Sequence, residues 1–496
     1  MAATEQVLNP IFARPCNSFQ GRVVSQHPSF QPVADLPLRI HFCGIGGAGM
    51  NSLARVLHQA GHVVTGSDRD CTPVVEELLA EGIPVRLSQQ ELPEETDLVV
   101  RTAAMPLTHA ELAAAAARGL PIMRRAELLG RLCHTPVSVA VAGTHGKTTI
   151  TAMIAQLLSR CAPDGGWFIG GTHSSLPPAR LGEGQVRVCE ADEFDRSFLE
   201  LHPTHLVLGA VDWDHADIYP TRAHMEEAFD QLAEQIRGDA PVIRQVGKSA
   251  LGGEAYVPAC VRQGRRREIT VGEERQASLR VVPRAGGINA FDLLGRAEEG
   301  LGHLRLRVDL GLPGAHNRVN AATALAWLLV GDWGRSVDME KAAAALEGFQ
   351  GLARRFQLIA VSGSRRLYDD YAHHPSEIAA FLQGLREISK GPVTVIHQPH
   401  TFSRVRAFAQ ATGEALSQAD RAILWPVFAA REQPEDGISH RSILPWLKAP
   451  RSLALDQPEE LFAELRHRLA PDEIVATVGA GDLYKLHADL QKVLEG

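Results

Sequence analysis

A chain of 496 residues, 45% hydrophobic and 22% charged, has the composition of ordinary globular protein and length for about three domains. Its formal net charge of -8 argues against a partner such as nucleic acid or an anionic membrane, and no run approaches the roughly 18 apolar residues of a membrane span. Seven cysteines without a CxxC pair, and an N-terminus unlike a signal peptide, point to reduced thiols in a soluble, cytoplasmic protein.

Residues 1–36 are rich in Asn, Gln, Ser and Pro without periodicity and read as a mobile extension. Leu38, Ile40 and Phe42 then alternate as a strand that runs into Gly44-Ile45-Gly46-Gly47-Ala48-Gly49, and Met50, Leu53, Ala54 and Leu57 follow at helical spacing. With a second strand over 62–65 ending near Asp68, this is the fingerprint of a dinucleotide fold. The glycines suit a nucleotide diphosphate and Asp68 a ribose hydroxyl, while the turn leaves the nucleotide itself open. A strand over 98–100 and an alanine-rich helix over 110–117 complete a first α/β domain spanning 37–134.

Val137, Val139 and Val141 next alternate with smaller residues, as in a strand half-buried in a sheet, and Ile150, Met153, Ile154, Leu157 and Leu158 mark a helix. Between them stands Gly143-Thr144-His145-Gly146-Lys147-Thr148-Thr149. A glycine turn opening a helix offers free backbone N–H groups and the positive end of the helix dipole to a phosphate. Lys147 can reach the terminal phosphates and the Thr148 hydroxyl can ligate magnesium, so the chain is expected to bind a nucleoside triphosphate. Val141 occupies the place of the usual first glycine, which makes the loop a shortened variant.

Strands over 186–189 and 206–208 deliver Glu190-Ala191-Asp192-Glu193-Phe194-Asp195 and Asp212-Trp213-Asp214-His215-Ala216-Asp217. Ligands of open parallel sheets sit outside the carboxyl ends of strands, so these clusters beside the phosphate loop point to metal handling, with Glu190 and His215 as ligands. Short alternating stretches over 241–312 suggest hairpins, and Gly314 to Asn320 opens a helix whose Asn317 either caps it or meets a base or ribose. This second domain is placed at 135–350 and a third at 351–496. In the third, Tyr368 to Pro375 follows a strand, Gln398-Pro399-His400 ends another, and Ser403 and Arg404 come just after. Strands alternating with helices make the whole an α/β protein of mostly parallel sheets.

In this order, GIGGAGM (44–50), GSD (66–68), AGTHGKTT (142–149), EADEFDRSFL (190–199), DHADIY (214–219), GAHNRVNAATA (314–324), FQGLARRF (349–356), YDDYAHHPSE (368–377) and QPHTFSR (398–404) resemble the Mur ligases over essentially all of 37–496. The resemblance implies a Rossmann-like domain for a UDP-sugar, a central P-loop ATPase, and a C-terminal Rossmann-like domain that closes over the site. It implies ATP-dependent joining of L-alanine to UDP-N-acetylmuramate through an acyl phosphate, with two Mg2+ ions held by Thr148, Glu190 and His215, in a monomer or homodimer. Gly44, Gly46, Gly47, Gly49, Met50, Ser67 and Asp68 would serve the UDP-sugar. Asn317, Arg355 and Asp370 resemble adenine, phosphate and ribose contacts, and Tyr371, His373, His400 and Arg404 the amino-acid end. The chain departs from relatives at Ala210, Thr401 and Pro178, and carries Asp230 where other members have a carbamylated lysine. Rival readings are a tripeptide-recycling ligase, a paralogue for another amino acid, a nicotinamide dehydrogenase built on the first turn, and a non-catalytic nucleotide-binding regulator.

Overall fold

Three β-sheets flanked by helices make up the computed structural model, which describes residues 36–495 except 88–90, 104, 217, 248–254, 285–286, 288, 298–300, 331–336, 431 and 451. The extension expected over 1–36 therefore lies outside the described residues apart from Leu36, and so does Asp217. The six described cysteines form no disulfide, and no helix among the described residues is long and apolar enough to cross a membrane.

The first sheet is parallel throughout, in the order Val85–Arg86, Val63–Ser67, Arg39–Cys43, Leu98–Arg101, Ile122–Arg124. The chain starts at the centre and winds to either side, which opens a crevice above the end of Arg39–Cys43, where the glycine turn and the helix Ala48–Gln59 begin. In the ten-stranded second sheet the strand Val137–Ala142 has Val186–Glu190 on one side and His205–Leu208 on the other. The three loops that leave these strands must therefore meet at one edge. Antiparallel pairs stand at both ends of this sheet, Gly166–Phe168 with Ala179–Arg180 at one edge and the hairpins of the 241–312 stretch at the other. Val242–Gln245, Glu268–Gly272 and Leu279–Pro283 run parallel, and antiparallel pairing begins with Ala290–Gly295 and Arg305–Asp309. The third sheet has the order Gln357–Ser362, Arg365–Asp370, Ile474–Val478, Val393–His397, Arg421–Leu424, Leu453–Ala454, parallel except for its first pair. Arg365–Asp370 runs on through Tyr368, Asp369 and Asp370, which the sequence pattern placed beyond the strand.

The strand Val137–Ala142 is not half-buried. Residues 138–142 are all buried, because both faces of the sheet are covered. Val139 and Val141 pack against the helix Lys147–Cys161 and its neighbours, while Ala140 and Ala142 belong to a core that includes Leu128 and Leu132 of the first domain. The alternation of large and small residues thus records two partners, not water on one side. Lys147–Cys161 is buried from Thr148 to Leu158, as a central helix is when surrounded by other elements.

Candidate active site

The phosphate loop owes its shape to backbone conformations that only glycine adopts freely. Gly143 and Gly146 have φ of 127° and 83°, and the loop is pinned across the sheet edge by Thr144 and His145 N–H groups donating to Ala210 O at 2.8 and 3.0 Å. A Cβ on Gly146 would stand 2.8 Å from Asn320 Oδ1. Gly146→Ala is accordingly expected to lower stability by about 1–3 kcal/mol, read as a lower thermal midpoint, and to weaken nucleotide binding with it.

Lys147 turns back over the loop. Its Nζ donates to Gly143 O at 2.7 Å, Thr144 O at 3.2 Å and Glu193 Oε1 at 2.9 Å. Thr148 Oγ1 donates to Glu190 Oε1 at 3.0 Å, and Glu190 Oε2 accepts the Gly170 N–H. Burial raises the pKa of Glu190 and of Asp192, with like charge adding to it, while Lys147 holds Glu193 low against its own burial. Three carboxylates thus face a single ammonium. His215, at φ 52°, stands 3.7 Å from Glu193 Oε1 and 3.8 Å from Asp214 Oδ2, and despite its burial these carboxylates raise its pKa. It joins the cluster through Glu193, not through Glu190.

The third domain closes directly on this edge. Arg404, in the helix Phe402–Leu416, grips Asp214 with two parallel hydrogen bonds of 2.8 and 2.9 Å and donates to His400 Nδ1 at 3.0 Å. Against burial, the guanidinium holds Asp214 well below the usual carboxylate range. His373 lies 4.0 Å from Asp214 Oδ2 and 3.5 Å from Glu377 Oε2, and burial pushes it down to about 3. His400 is pushed down to about 4 by burial and by Arg404. His145 bridges the domains, with Nε2 2.9 Å from Asp212 Oδ2 and Nδ1 3.1 Å from Glu377 Oε1. Ser376 Oγ also donates to Asp212 Oδ2, at 2.8 Å. Burial opposes charge on His145, but the two carboxylates raise it to about 9. A histidine raised above its unfolded value adds stability that is complete below about pH 6.5 and disappears as pH rises through about 9. In His145→Gln, denaturant unfolding should therefore show a flatter pH dependence across that window, by an amount of order 3 kcal/mol.

Behind the loop is a cavity of 370 Å³ lined by Thr149, Gln245, Asn317, Arg355, Asp370 and Glu377, among others. Asn317 is no N-cap, since its amide donates to Pro313 O at 2.7 Å from inside the helix Ala315–Val330. Asp370 is pushed up to about 7 by burial, although it accepts the Phe356 and Ala372 N–H groups. Arg355 lies over the Tyr371 ring at 5.2 Å, and Arg354 lies over it at 4.9 Å. Thr401, at φ 67°, turns the chain from His400 into the Arg404 helix.

At the first turn Asp68 sits where the sequence placed it, at the end of the second strand beside the glycines. Asp68 Oδ2 accepts the Gly46 N–H at 2.8 Å, so its carboxylate fastens the turn. Gly44 and Ile45 donate to Ser67 O, Gly47 is exposed, and Gly49 lies against the Arg125 side chain. Met50 is a core side chain at 1% exposure, and the Ser67 hydroxyl donates inward to Glu111. Asp230 accepts from Tyr256 Oη and Ala259 N, away from the loop cluster. The sequence reading quoted Glu193, Asp212, Asp214 and Glu377 within its clusters and motifs but singled none of them out as a site residue. Glu193 had a signal, since it sits three residues beyond Glu190 in the same acidic loop.

Comparison with known proteins places these three units in one lineage. Family models match in chain order: the Mur ligase family, catalytic domain, over 39–135; the Mur ligase middle domain over 141–328; and the Mur ligase, glutamate ligase domain over 354–481. A UDP-N-acetylmuramate–L-alanine ligase of Syntrophomonas wolfei is 36% identical over 465 residues, covering 92% of this chain and 97% of the relative. One from a Mycobacterium species is 34% identical over 497 residues, covering 94% and 97%. The crystal structure of a UDP-N-acetylmuramate–alanine ligase from Thermotoga maritima superimposes with a TM-score of 0.70 at 25% identity, covering 92% of this chain and 98% of that one. A murein peptide ligase from Psychrobacter arcticus shares the fold, with a TM-score of 0.63 at 21% identity over 93% and 99%. On the matched domains, their order and this coverage, the chain belongs to the Mur ligase family.

Proposed function

We propose that this ATP-dependent ligase joins L-alanine to the lactyl carboxylate of UDP-N-acetylmuramate. The observation that carries the reading is the ionic cluster in which His215 and Asp214 of the middle domain, beside the phosphate loop, meet Arg404, His373 and His400 of the third. The names of the long, full-length relatives supply the substrates.

A carboxylate is a poor electrophile, so amide formation in water needs it activated. In the proposed course the lactyl carboxylate attacks the γ-phosphate of ATP in line, ADP leaves, and the alanine amine then displaces phosphate from the acyl phosphate. Phosphoryl transfer depends on positioning and charge neutralisation. Lys147 would exchange Glu193 for the β- and γ-phosphates. Thr148 and Glu190 would hold a magnesium ion, since a hydroxyl and a carboxylate side by side at the phosphate loop are the hard oxygen donors it takes. His215 is the candidate ligand for a second ion, which would add charge neutralisation at the phosphoryl group. Asn317, Arg355 and Asp370 would hold the nucleoside in the 370 Å³ cavity. Arg404, flanked by His373 and His400, is suited to the alanine carboxylate, which would share or displace Asp214. Because these groups come from separate domains, closure completes the site and keeps water from the acyl phosphate.

An ADP-release assay over a panel of UDP-sugar acids and amines tests this. Release is expected with UDP-N-acetylmuramate and L-alanine together. Release with a tripeptide in place of alanine would make the chain a recycling ligase, and no release with any pair would reject the reading.

A further inference from the structure

A second cluster of metal-ligand side chains lies in the first domain, beneath the glycine turn. His41 and Cys43 are alternate residues of the strand Arg39–Cys43 and so emerge on one face. The helix Ala110–Ala117 covers that face through Leu112 and Ala115 and presents Glu111 to them. All three side chains are fully buried, and one donor atom from each lies within 4.8 Å of the others. His41 Nε2 is 3.3 Å from Glu111 Oε1. Tetrahedral zinc, with bonds of about 2.0–2.1 Å to nitrogen and oxygen, sets its ligands about 3.4 Å apart. The remaining atoms are anchored as outer partners of a metal site are: His41 Nδ1 is 2.8 Å from Thr65 Oγ1, and Glu111 Oε2 accepts from Ser67 Oγ at 2.7 Å. His109 Nδ1 stands 3.8 Å from the same Oε2.

We propose that His41, Cys43 and Glu111 bind a divalent cation of the zinc class, with His109 as the nearest further donor, at a site separate from the magnesium centre. A thiolate beside an imidazole selects a borderline-soft ion over magnesium. The site also touches the turn above it, since the residue whose hydroxyl holds Glu111 accepts the Gly44 and Ile45 N–H groups on its carbonyl.

Cobalt(II) serves as the probe. Full-length protein, stripped with a chelator and free of nucleotide, is titrated with Co2+ in excess Mg2+. The expected result is a near-ultraviolet thiolate-to-cobalt band that saturates at one ion per chain and is lost on adding equimolar Zn2+. Cys43→Ser should abolish the band, leaving the thermal midpoint and ATP-dependent phosphate release essentially unchanged. Cys71→Ser, at the exposed cysteine, should keep it. Absence of the band in the unaltered protein, or its survival in Cys43→Ser, would overturn the proposal and leave a hydrogen-bonded network only. The first of these outcomes is read on the unaltered protein, so the test does not depend on the variant folding.

Discussion

Lys147→Met is expected to reduce ATP-dependent phosphate release by about 10³-fold, the scale of losing one preorganised electrostatic contact to a transition state. The thioether keeps an apolar stem in the loop, so the helix Lys147–Cys161 should persist and far-ultraviolet circular dichroism should not change. Stability has its own signature. Glu193, 2% exposed at its side chain, would lose the ammonium that now sits 2.7 Å from Oε2. An orphaned buried charge of this kind costs about 3–5 kcal/mol unless it takes up a proton. Adding Glu193→Gln to Lys147→Met should then recover the unfolding midpoint and none of the turnover. Recovery of turnover as well would mean that Lys147 acts only as a partner for Glu193, and the phosphate assignment would fall.

The second large effect is expected at Arg404. Arg404→Lys keeps the charge and loses the two-pronged geometry that meets Asp214, and lysine is a poor substitute at such a site. In steady-state assays kcat/KM for L-alanine should drop by about 10²-fold, mostly through KM, while the KM for ATP moves less than about threefold. Comparable losses for both substrates would make Arg404 a general clasp between domains and not part of the amino-acid end. Asp214→Asn separates these further. It removes the charge that occupies Arg404, so the KM for alanine should rise less than in Arg404→Lys if the substrate carboxylate competes with Asp214 for the guanidinium.

What could be read from the chain alone followed local rules. The phosphate loop announces itself because a strand, two glycines, a lysine and a threonine fall within a dozen residues, and the α/β architecture follows from alternating periods. Glu190 stood out as the carboxylate that closes a strand, and the fold makes it the last residue of Val186–Glu190, beside the Thr148 hydroxyl. The clasps did not stand out. His145 meets Glu377 across 232 positions and Arg404 meets Asp214 across 190, and no periodicity encodes a contact made when two separately folded units dock. Val137–Ala142 was misread for a related reason. Its small residues belong to a second core that includes Phe229 and Leu232 of the same domain with Leu128 and Leu132 of the first, and a sequence window cannot tell a covered face from a wet one when the residues are alanines. The motif around Asp68 and Met50 gave no sign of their internal roles, in which one fastens the turn and the other packs in the core.

That two-faced strand also limits what its own positions can hold. Its valines belong to the core of the helix that begins at the phosphate loop, and its alanines to a core that includes Leu128 and Leu132 of the first domain. Larger side chains at 140 and 142 would overfill that second core, so its neighbours would have to shift to admit them.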